Sequence, residues 1–188
     1  RVPLDVYRQQ KRGGRGVTGM ATKEEDVVDK VFMASTHDYL LCFTNKGRAY
    51  WLRVYDIPEG SRTAKGKAIV NLLNLTDEDV SAVIPLRSFD SDKYFLYATK
   101  SGRIGKFSQD LFSRPRAGGI IGMTLLDGDE LVDVVMTNGK SDVVLTTAYG
   151  QSLRFSEEEV RATGRGSQGV IGIKMKYEED RVCGLTLV

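Results

Sequence analysis

The feature that most constrains the fold is a pattern that repeats about every 50 residues. Each repeat has a basic, glycine-containing loop followed by a short run of β-branched and other apolar residues. When the apolar ends of four such segments are aligned, Gly19, Asn71, Gly122 and Gly172 share one position, at spacings of 52, 51 and 50 residues. A steady period of this length, filled with strand signals, is typical of the blades of a radial β-array.

Each repeat also carries a hairpin signal, in which a glycine-containing turn joins two apolar runs. The predicted antiparallel pairs are 40–44 with 48–54, 94–99 with 103–107, and 143–147 with 151–155. No long segment has a 3.6-residue period, and a single helical turn at Glu157–Arg161 is the most helix that we expect.

The sequence therefore predicts an all-β, propeller-like array in one domain, residues 1–188, with about four blades of antiparallel strands. A partial first blade covers 1–26, and further blades cover about 27–78, 79–129 and 130–188. A single repeat cannot cover its own apolar face, so we expect the array to fold as a unit.

Charge is nearly balanced overall but is distributed in phase with the repeat. The chain has 27 Lys and Arg against 25 Asp and Glu, a net charge of +2. Acidic clusters at 24–26, 77–79, 127–130 and 178–180 keep the same period, so we expect them to gather at one type of inter-blade turn. The basic loops should gather elsewhere, and a near-neutral total can then hide a basic track. The alternative is that the acids mark solvated turns and nothing more, which explains the acids but not the phased cations.

The densest basic loop is Gln10–Gly16, which places three cations and three glycines together. Glycine lets the backbone approach a ligand closely, and the cations supply charge and donors suited to phosphate oxygens. The alternative is an ordinary solvated surface loop. The candidate residues of this loop are Gln10, Lys11, Arg12, Gly13, Gly14, Arg15 and Gly16. The candidate cations of the later loops are Arg62, Lys65, Lys67, Arg114, Arg116, Arg161 and Arg165.

Other kinds of site have little support in the sequence. His37 is the single histidine and precedes Asp38 at an expected turn, which rules out a Ser/His/Asp or Cys/His set, although a carboxylate pair stays open as a catalyst. Cys42 and Cys183 have no metal-ligand spacing and are predicted to be buried reduced thiols. With no Walker loop, no apolar run of 18 residues and no signal peptide, we expect no cofactor, no membrane and a cytoplasmic setting. The start at Arg1 is typical of a piece cut from a longer protein.

The loop Gln10–Gly16 resembles the GyrA box, Q-(R/K)-R-G-G-(R/K)-G, of the C-terminal domain family of DNA gyrase A proteins, and it matches at all seven positions. The resemblance continues through the chain, at 3–7, 38–43, 54–55 and 69–73. It implies a β-pinwheel, whose blades exchange strands with their neighbours. The family domain is usually six-bladed, and this chain is short for six, which favours an open arc.

The resemblance also implies a function, which is to bind and wrap duplex DNA so that the full enzyme introduces negative supercoils. The domain itself would not be an enzyme. DNA cleavage would belong to the N-terminal domain of gyrase A, and ATP and Mg would be used elsewhere in an A2B2 complex with gyrase B. DNA binding should depend little on sequence, because no recognition helix, zinc-ligand set or RRM motif is present.

Two alternatives are open at this point. The related C-terminal domain of topoisomerase IV binds DNA but wraps it little, and an intact box favours the gyrase family. A propeller that acts as a protein scaffold or on glycans is the second, and the phased basic loops argue against it. Trp51 and the other aromatic residues alternate within strands, so we expect them in the core rather than on a stacking surface.

Overall fold

The computed structural model describes residues 1–7, 12, 14, 19–20, 22, 27–28, 30–61 and 63–188. Within them, α-helix is confined to α1 (Ile69–Leu73) and every other regular element is a strand or a 3-10 turn. The strands are β1 (Tyr39–Thr44), β2 (Arg48–Arg53), β3 (Val80–Leu86), β4 (Tyr94–Thr99), β5 (Arg103–Ser108), β6 (Ile120–Ile121), β7 (Leu131–Thr137), β8 (Asp142–Thr147), β9 (Ser152–Ser156), β10 (Val170–Ile171) and β11 (Val182–Leu187). The 3-10 turns are Leu4–Val6, Val54–Asp56, Gln109–Phe112 and Glu157–Glu159.

These strands form three antiparallel sheets, which we call the first, second and third blades. Their strand orders are β3-β1-β2-β6, β7-β4-β5-β10 and β11-β8-β9. The hairpins β1/β2, β4/β5 and β8/β9 confirm the three predicted strand pairs. The helical turn at Glu157–Glu159 and the turn at residues 36–37 that contains His37 are confirmed as well.

Neighbouring blades exchange strands, as the resemblance implies for a pinwheel. Strand β6 follows the β4/β5 hairpin along the chain but pairs with β2 of the first blade. Strand β10 follows the β8/β9 hairpin but pairs with β5 of the second blade. The predicted boundaries between blades divide the sequence into consecutive repeats. The sheets, however, take their strands from stretches of sequence that overlap, so those boundaries stay predictions.

The exchanged strands are attached to their hairpins in the same way in both blades. The carbonyl oxygen of Gly47 accepts from the N–H groups of Gly122 and Met123, at 2.9 and 3.1 Å. The carbonyl oxygen of Gly102 accepts from those of Gly172 and Ile173, at 2.8 and 3.1 Å. The repeat position that aligns Gly122 with Gly172 is therefore the point at which an exchanged strand leaves its hairpin.

The aligned run Ile69–Leu73 departs from this pattern, because it forms α1 where the repeat predicts a short strand. The residue that precedes the run supplies the reason. Gly119 and Gly169, which precede β6 and β10, both have φ of +68°, in the left-handed region that favours glycine. The aligned residue Ala68 has φ of −62°, so the chain enters the next segment in a different direction.

Two apolar clusters lie between the blades, because alternate residues of each strand point to opposite neighbours. Leu41 and Phe43 of the first blade pack against Phe95, Tyr97 and Phe107 in the cluster between the first and second blades. Leu96, Ala98 and Ile104 of the second blade pack with Val143 and Leu145 of the third in the other cluster. Stacking therefore buries what each sheet alone would expose, as predicted.

Aromatic residues belong to this core. Phe43, Phe95 and Phe112 meet edge to face with ring centroids 5.4 to 5.7 Å apart, an arrangement that aromatic quadrupoles favour. Trp51 packs against the same cluster, and its indole Nε1 donates to the carbonyl oxygen of Phe112 at 2.9 Å. The prediction that Trp51 is a core residue is confirmed.

The two outward faces of the stack of blades differ in how much of them is buried. On the first blade, Leu40, Cys42 and Leu52 are buried under α1, with Leu73 in contact. On the third blade, Ser152 and Arg154 are exposed. Cys42 is buried as predicted, and burial raises the pKa of its thiol to about 12.

The prediction of burial is wrong for Cys183, which is exposed. It lies on β11 between buried Val182 and half-buried Gly184, where the register with β8 shifts. Its Sγ lies 3.6 Å from the carbonyl oxygen of Thr146. An apolar stretch of sequence predicts a strand, but it does not show which face of that strand is covered by another element of the fold.

Candidate nucleic-acid interface

The basic loops are carried to one edge of the blades by the exchanged strands. Residues 113–119 lead directly into β6, and residues 160–169 lead into β10. Strands β6 and β10 are the terminal strands of their sheets. Arg114 and Arg116 therefore lie beside the edge of the first blade, and Arg161 and Arg165 beside that of the second.

The second of these loops is in direct contact with the segment that continues the first. The N–H of Gly166 donates to the carbonyl oxygen of Gly122 at 2.9 Å, and the N–H of Thr124 donates to the carbonyl oxygen of Ser167 at 3.2 Å. The guanidinium of Arg165 donates from Nη1 to the carbonyl oxygen of Ile121 at 3.4 Å. The loop at 160–169 thus lies against β6 and the residues that follow it, which continue the loop at 113–119.

The loop before α1 occupies a related place. Lys65 and Lys67 are exposed, and a Cβ built on Gly66 would lie 3.7 Å from Cε of Met20. A Cβ built on Gly166 would lie 4.0 Å from the hydroxyl of Thr124. Met20 and Thr124 occupy nearly equivalent positions in the repeat, one residue after Gly19 and two residues after Gly122. In both cases, therefore, a basic loop lies close to the residues that follow the basic loop of the preceding repeat.

The GyrA-box loop is only partly within the described residues. Arg12 and Gly14 are described, and both are exposed. Gln10, Lys11, Gly13, Arg15 and Gly16 lie outside the described residues, and so does Arg62. The placement of these six residues stays a prediction.

The described loop cations are all exposed, and none forms a salt bridge with a described carboxylate. Their charge is therefore available to a polyanion rather than neutralised within the described part of the fold. These cations are Arg12, Lys65, Lys67, Arg114, Arg116, Arg161 and Arg165.

The acidic clusters lie beside the hairpin turns instead. The carboxylate of Asp129 accepts from the backbone N–H of Ser101 at 2.9 Å and from its hydroxyl at 2.6 Å. Asp180 accepts from the N–H of Tyr149 at 3.0 Å, and the carbonyl oxygen of Asp79 accepts from the N–H of Asn45 at 2.8 Å. The described clusters thus gather at one type of turn, where they satisfy turn donors, and the cluster at 24–26 lies outside the described residues.

Two arginines that the sequence analysis did not select hold the basic loops. Arg103 donates from Nε to the carbonyl oxygen of Gln168 at 2.8 Å and from Nη2 to that of Gly169 at 2.7 Å. Arg48 donates from Nη2 to the carbonyl oxygen of Gly118 at 2.7 Å. Both directly follow the turn glycine of their hairpins, and this shared Gly-Arg step is the signal that could have identified them.

Other kinds of site find no support in the described part of the chain. No group of three or more His, Cys, Asp or Glu side chains there could hold a metal ion. No helix among these residues has the length and apolar character needed to cross a membrane. One open cavity of about 400 Å³ between the second and third blades has lining residues of mixed charge, among them Lys106, Arg161, Asp92 and Glu158.

Comparison with known proteins gives consistent results. A profile described as the DNA gyrase C-terminal domain, beta-propeller, matches residues 1–35, 38–87, 93–138 and 141–185. The A subunit of DNA gyrase from Klebsiella oxytoca is 46% identical over 97% of this chain, which covers 21% of that protein. The chain thus spans about a fifth of the length of this curated relative.

Solved structures resemble the fold as well. A crystal structure of the C-terminal domain of DNA topoisomerase IV superimposes with a TM-score of 0.74 at 32% identity, over 81% of this chain and 48% of that one. A structure of the DNA gyrase A C-terminal domain gives 0.70 at 29% identity, over 98% of this chain and 59% of that one. The profile matches in four segments that together span most of the sequence, and we conclude that the chain belongs to the DNA gyrase A C-terminal domain family.

Proposed function

We propose that this domain binds duplex DNA along its basic edge and bends it around the blades. The observation that supports this most directly is the contact of the loop at 160–169 with residues 121–124, which continue the loop at 113–119. The described cations of both loops are exposed. Duplex DNA carries about one negative charge per ~1.7 Å, so a run of exposed cations of this kind suits its backbone.

Binding of this type reads the phosphate backbone rather than the bases. The described residues offer no element of the size of a recognition helix, since α1 has five residues. Arginine and lysine contacts to phosphate fix the position of DNA but carry no sequence information. Sequence preference should therefore come only from the ease with which a segment bends.

An edge that follows a radial stack of blades would favour bent over straight DNA. Smooth bending of 20–30 bp by 40–90° costs on the order of 1–6 kcal/mol, which several phosphate contacts can offset. The box loop Gln10–Gly16 would act as the anchor at one end of the bent segment. This is the wrapping role, in which the domain would present DNA for strand passage and negative supercoiling.

The wider setting follows from the family. The domain would act without catalysis or a cofactor of its own, as part of gyrase A in an A2B2 assembly with gyrase B. The use of ATP and Mg would belong to other parts of that enzyme, and its setting would be the cytoplasm. Topoisomerase IV remains a structural relative, but the gyrase domain is matched over more of this chain, 98% against 81%.

A titration with duplex DNA at several salt concentrations tests the proposal. We expect affinity for mixed-sequence duplex to fall steeply with salt, with a slope of about 0.9 for each phosphate contacted. Two duplexes of different sequence but similar flexibility should bind alike. A flat salt dependence, or no binding at moderate salt, would favour the scaffold alternative and overturn the proposal.

A further inference from the structure

We propose that Arg103 and Arg48 are positioning residues, which fix the backbone of the basic loops in the shape that receives phosphate. The inference rests on the proposed function of those loops. It goes further by assigning a role in DNA binding to side chains that belong to the hairpin strands rather than to the loops themselves.

The loop before β10 has three consecutive carbonyl groups directed at the second blade. The carbonyl oxygen of Ser167 accepts from the hydroxyl of Tyr97 at 3.2 Å. The next two, of Gln168 and Gly169, accept from Nε and Nη2 of Arg103 at 2.8 and 2.7 Å. Burial raises the pKa of this Tyr97 hydroxyl to about 12.

This arrangement determines which way the loop presents its donors. The C=O and N–H of one peptide plane point in opposite directions. Since the carbonyl of Ser167 faces Tyr97, the N–H of Gln168 in the same plane faces away from the blade. The N–H groups of Gly166 and Gly169 donate instead to the carbonyl oxygen of Gly122 and the hydroxyl of Ser167. The outward N–H of Gln168 is thus a donor available to an anion, and the exposed Arg161 and Arg165 precede it in sequence.

A glycine allows the loop to come this close. Gly169 has φ of +68°, and a Cβ at this position would collide with the carbonyl oxygen of Ile104. The backbone therefore lies directly on the hairpin strand, where a short-range contact from Arg103 can hold it.

The first blade repeats the arrangement with Arg48. Its Nη2 donates to the carbonyl oxygen of Gly118 at 2.7 Å, and its Nε donates to the hydroxyl of Tyr50 at 3.0 Å. A Cβ on Gly119 would lie 2.6 Å from the ring of Tyr50, so the backbone is again closely packed. The third hairpin has Gln151 at the same position, and its side chain donates to the carbonyl oxygen of Lys174.

Arginine suits this task for a geometric reason. Its planar guanidinium offers several N–H donors in a fixed fork, which can reach two successive carbonyl groups at once. A lysine carries the same charge on a single nitrogen and lacks this geometry. Replacement of Arg103 by lysine therefore separates positioning from charge.

The experiment measures duplex DNA binding of the full chain by fluorescence anisotropy over a range of salt concentrations. The variants are R103K, R165A and the double variant R103K/R165A. R154K is the matched control, because Arg154 is an exposed arginine that pairs with Asp142 away from the loops, at 2.6 Å. Thermal melting of each variant establishes that it is folded.

We expect R103K to weaken binding severalfold and to lower the salt slope by about 0.9 for each phosphate that the loop no longer binds, although no charge is removed. The cost of R165A should be much smaller in the R103K background than alone, because residues that act through one loop are not additive. R154K should bind as the unaltered chain does.

Three results would overturn the positioning role. The first is unchanged affinity in R103K, and the second is additive effects of R103K and R165A. The third is weaker binding in R103K with an unchanged salt slope, which would indicate a direct contact instead. Failure of the unaltered chain to bind DNA would overturn the proposed function itself, whereas the first three results leave that function standing.

Discussion

At the scale of single residues, the positive-φ glycines decide where the backbone can approach a neighbouring strand. Gly169 has φ of +68° and Gly128 has φ of +73°, so their backbone conformations are alike. Their surroundings differ, since a Cβ on Gly169 would meet the carbonyl oxygen of Ile104, while nothing lies within 4 Å of one on Gly128. Substitution of these two glycines therefore separates the cost of a left-handed backbone from the cost of a steric clash at Cβ.

We expect G169A to destabilise the fold by clearly more than G128A. Both substitutions should lose about 1–2 kcal/mol for a left-handed alanine, and G169A should lose more because the strand must move to admit the methyl group. Urea unfolding of the two variants measures the difference. Equal losses of unfolding free energy would show that the strand at Ile104 moves aside at no cost.

Asp180 gives the fold a dependence on pH. Burial alone would raise the pKa of this carboxyl group, but hydrogen bonds from the side chain of Thr147 and the backbone of Tyr149 and Arg181 outweigh it and lower the pKa. A lowered folded-state pKa means stability that is present above the unfolded-state pKa and is lost as pH falls through the folded-state value.

We therefore expect stability to decline in acid and expect D180N to flatten that decline while lowering stability at neutral pH. Thermal melting between neutral and acidic pH measures both effects. D127N is a control, because its carboxyl group has no resolved hydrogen bond to a turn among the described contacts. A decline in D180N as steep as in the unaltered chain would contradict the assignment.

At the scale of elements, the junction between the second and third blades contains a buried ion pair. Lys106 is 6% exposed and Glu157 is fully buried, with Nζ and Oε2 3.9 Å apart. Lys106 also donates to the carbonyl oxygen of Glu157 at 2.8 Å, and Glu157 accepts from the N–H of Ser141 at 2.6 Å. The matching position of the first blade has Trp51, which donates to Phe112.

Removal of one partner of this pair should be strongly destabilising, because the other charge is left buried without compensation. We expect K106M to lower the free energy of unfolding by about 3–5 kcal/mol. K93M, which removes the exposed partner of Asp90, should lose at most about 1 kcal/mol. Chemical unfolding of both variants tests this, and similar small losses would mean that water reaches the Lys106 site.

The elements also show what sequence alone can predict. Hairpins were predictable, because turn glycines and alternating apolar runs are local signals, as at Gly47 and Gly102. The repeat indicated short apolar runs at β6 and β10, but the exchange of strands came from the family resemblance, since a local run does not show which sheet it joins. The helix α1 was missed because Ile69 and Val70 favour strands, and the loss of a positive-φ glycine at Ala68 outweighs that preference.

For the candidate interface, the recurrence of cations at the repeat period predicted which loops are basic, but not which residues hold those loops in place. Arg114, Arg116, Arg161 and Arg165 were selected because they recur near glycines. Arg48 and Arg103 were not, because their roles depend on contacts with residues about 65 to 70 positions later. Such contacts follow from the strand exchange, so the Gly-Arg step that the two residues share marks them as equivalent but does not identify their partners.

At the scale of the whole molecule, binding and wrapping should be separable. Replacement of Lys11, Arg12 and Arg15 by alanine removes up to about three units of counterion release, while the later loops remain. We expect the triple variant, placed in the full enzyme, to keep DNA binding and strand passage but to lose negative supercoiling. A bent segment stays bent only if both ends are held, and release of one end recovers bending energy of a few kcal/mol.

Ligation of nicked circles around the domain measures the wrap directly, and the triple variant should trap little or no writhe. A matched triple variant at Arg114, Arg116 and Arg165 should lose affinity to a similar degree, which controls for charge. If the box variant supercoils DNA as well as the unaltered enzyme does, the box is an ordinary surface loop.

The strand exchange has a mechanical consequence. The loop at 113–119 starts from the second blade, after β5, and ends in β6, which belongs to the first. Any force applied to that loop is therefore transmitted to two sheets at once, in shear along hydrogen-bonded strands. DNA that relaxes toward a straight shape would pull on several blades together. The elastic force would then be shared among the linked sheets rather than borne by a single contact.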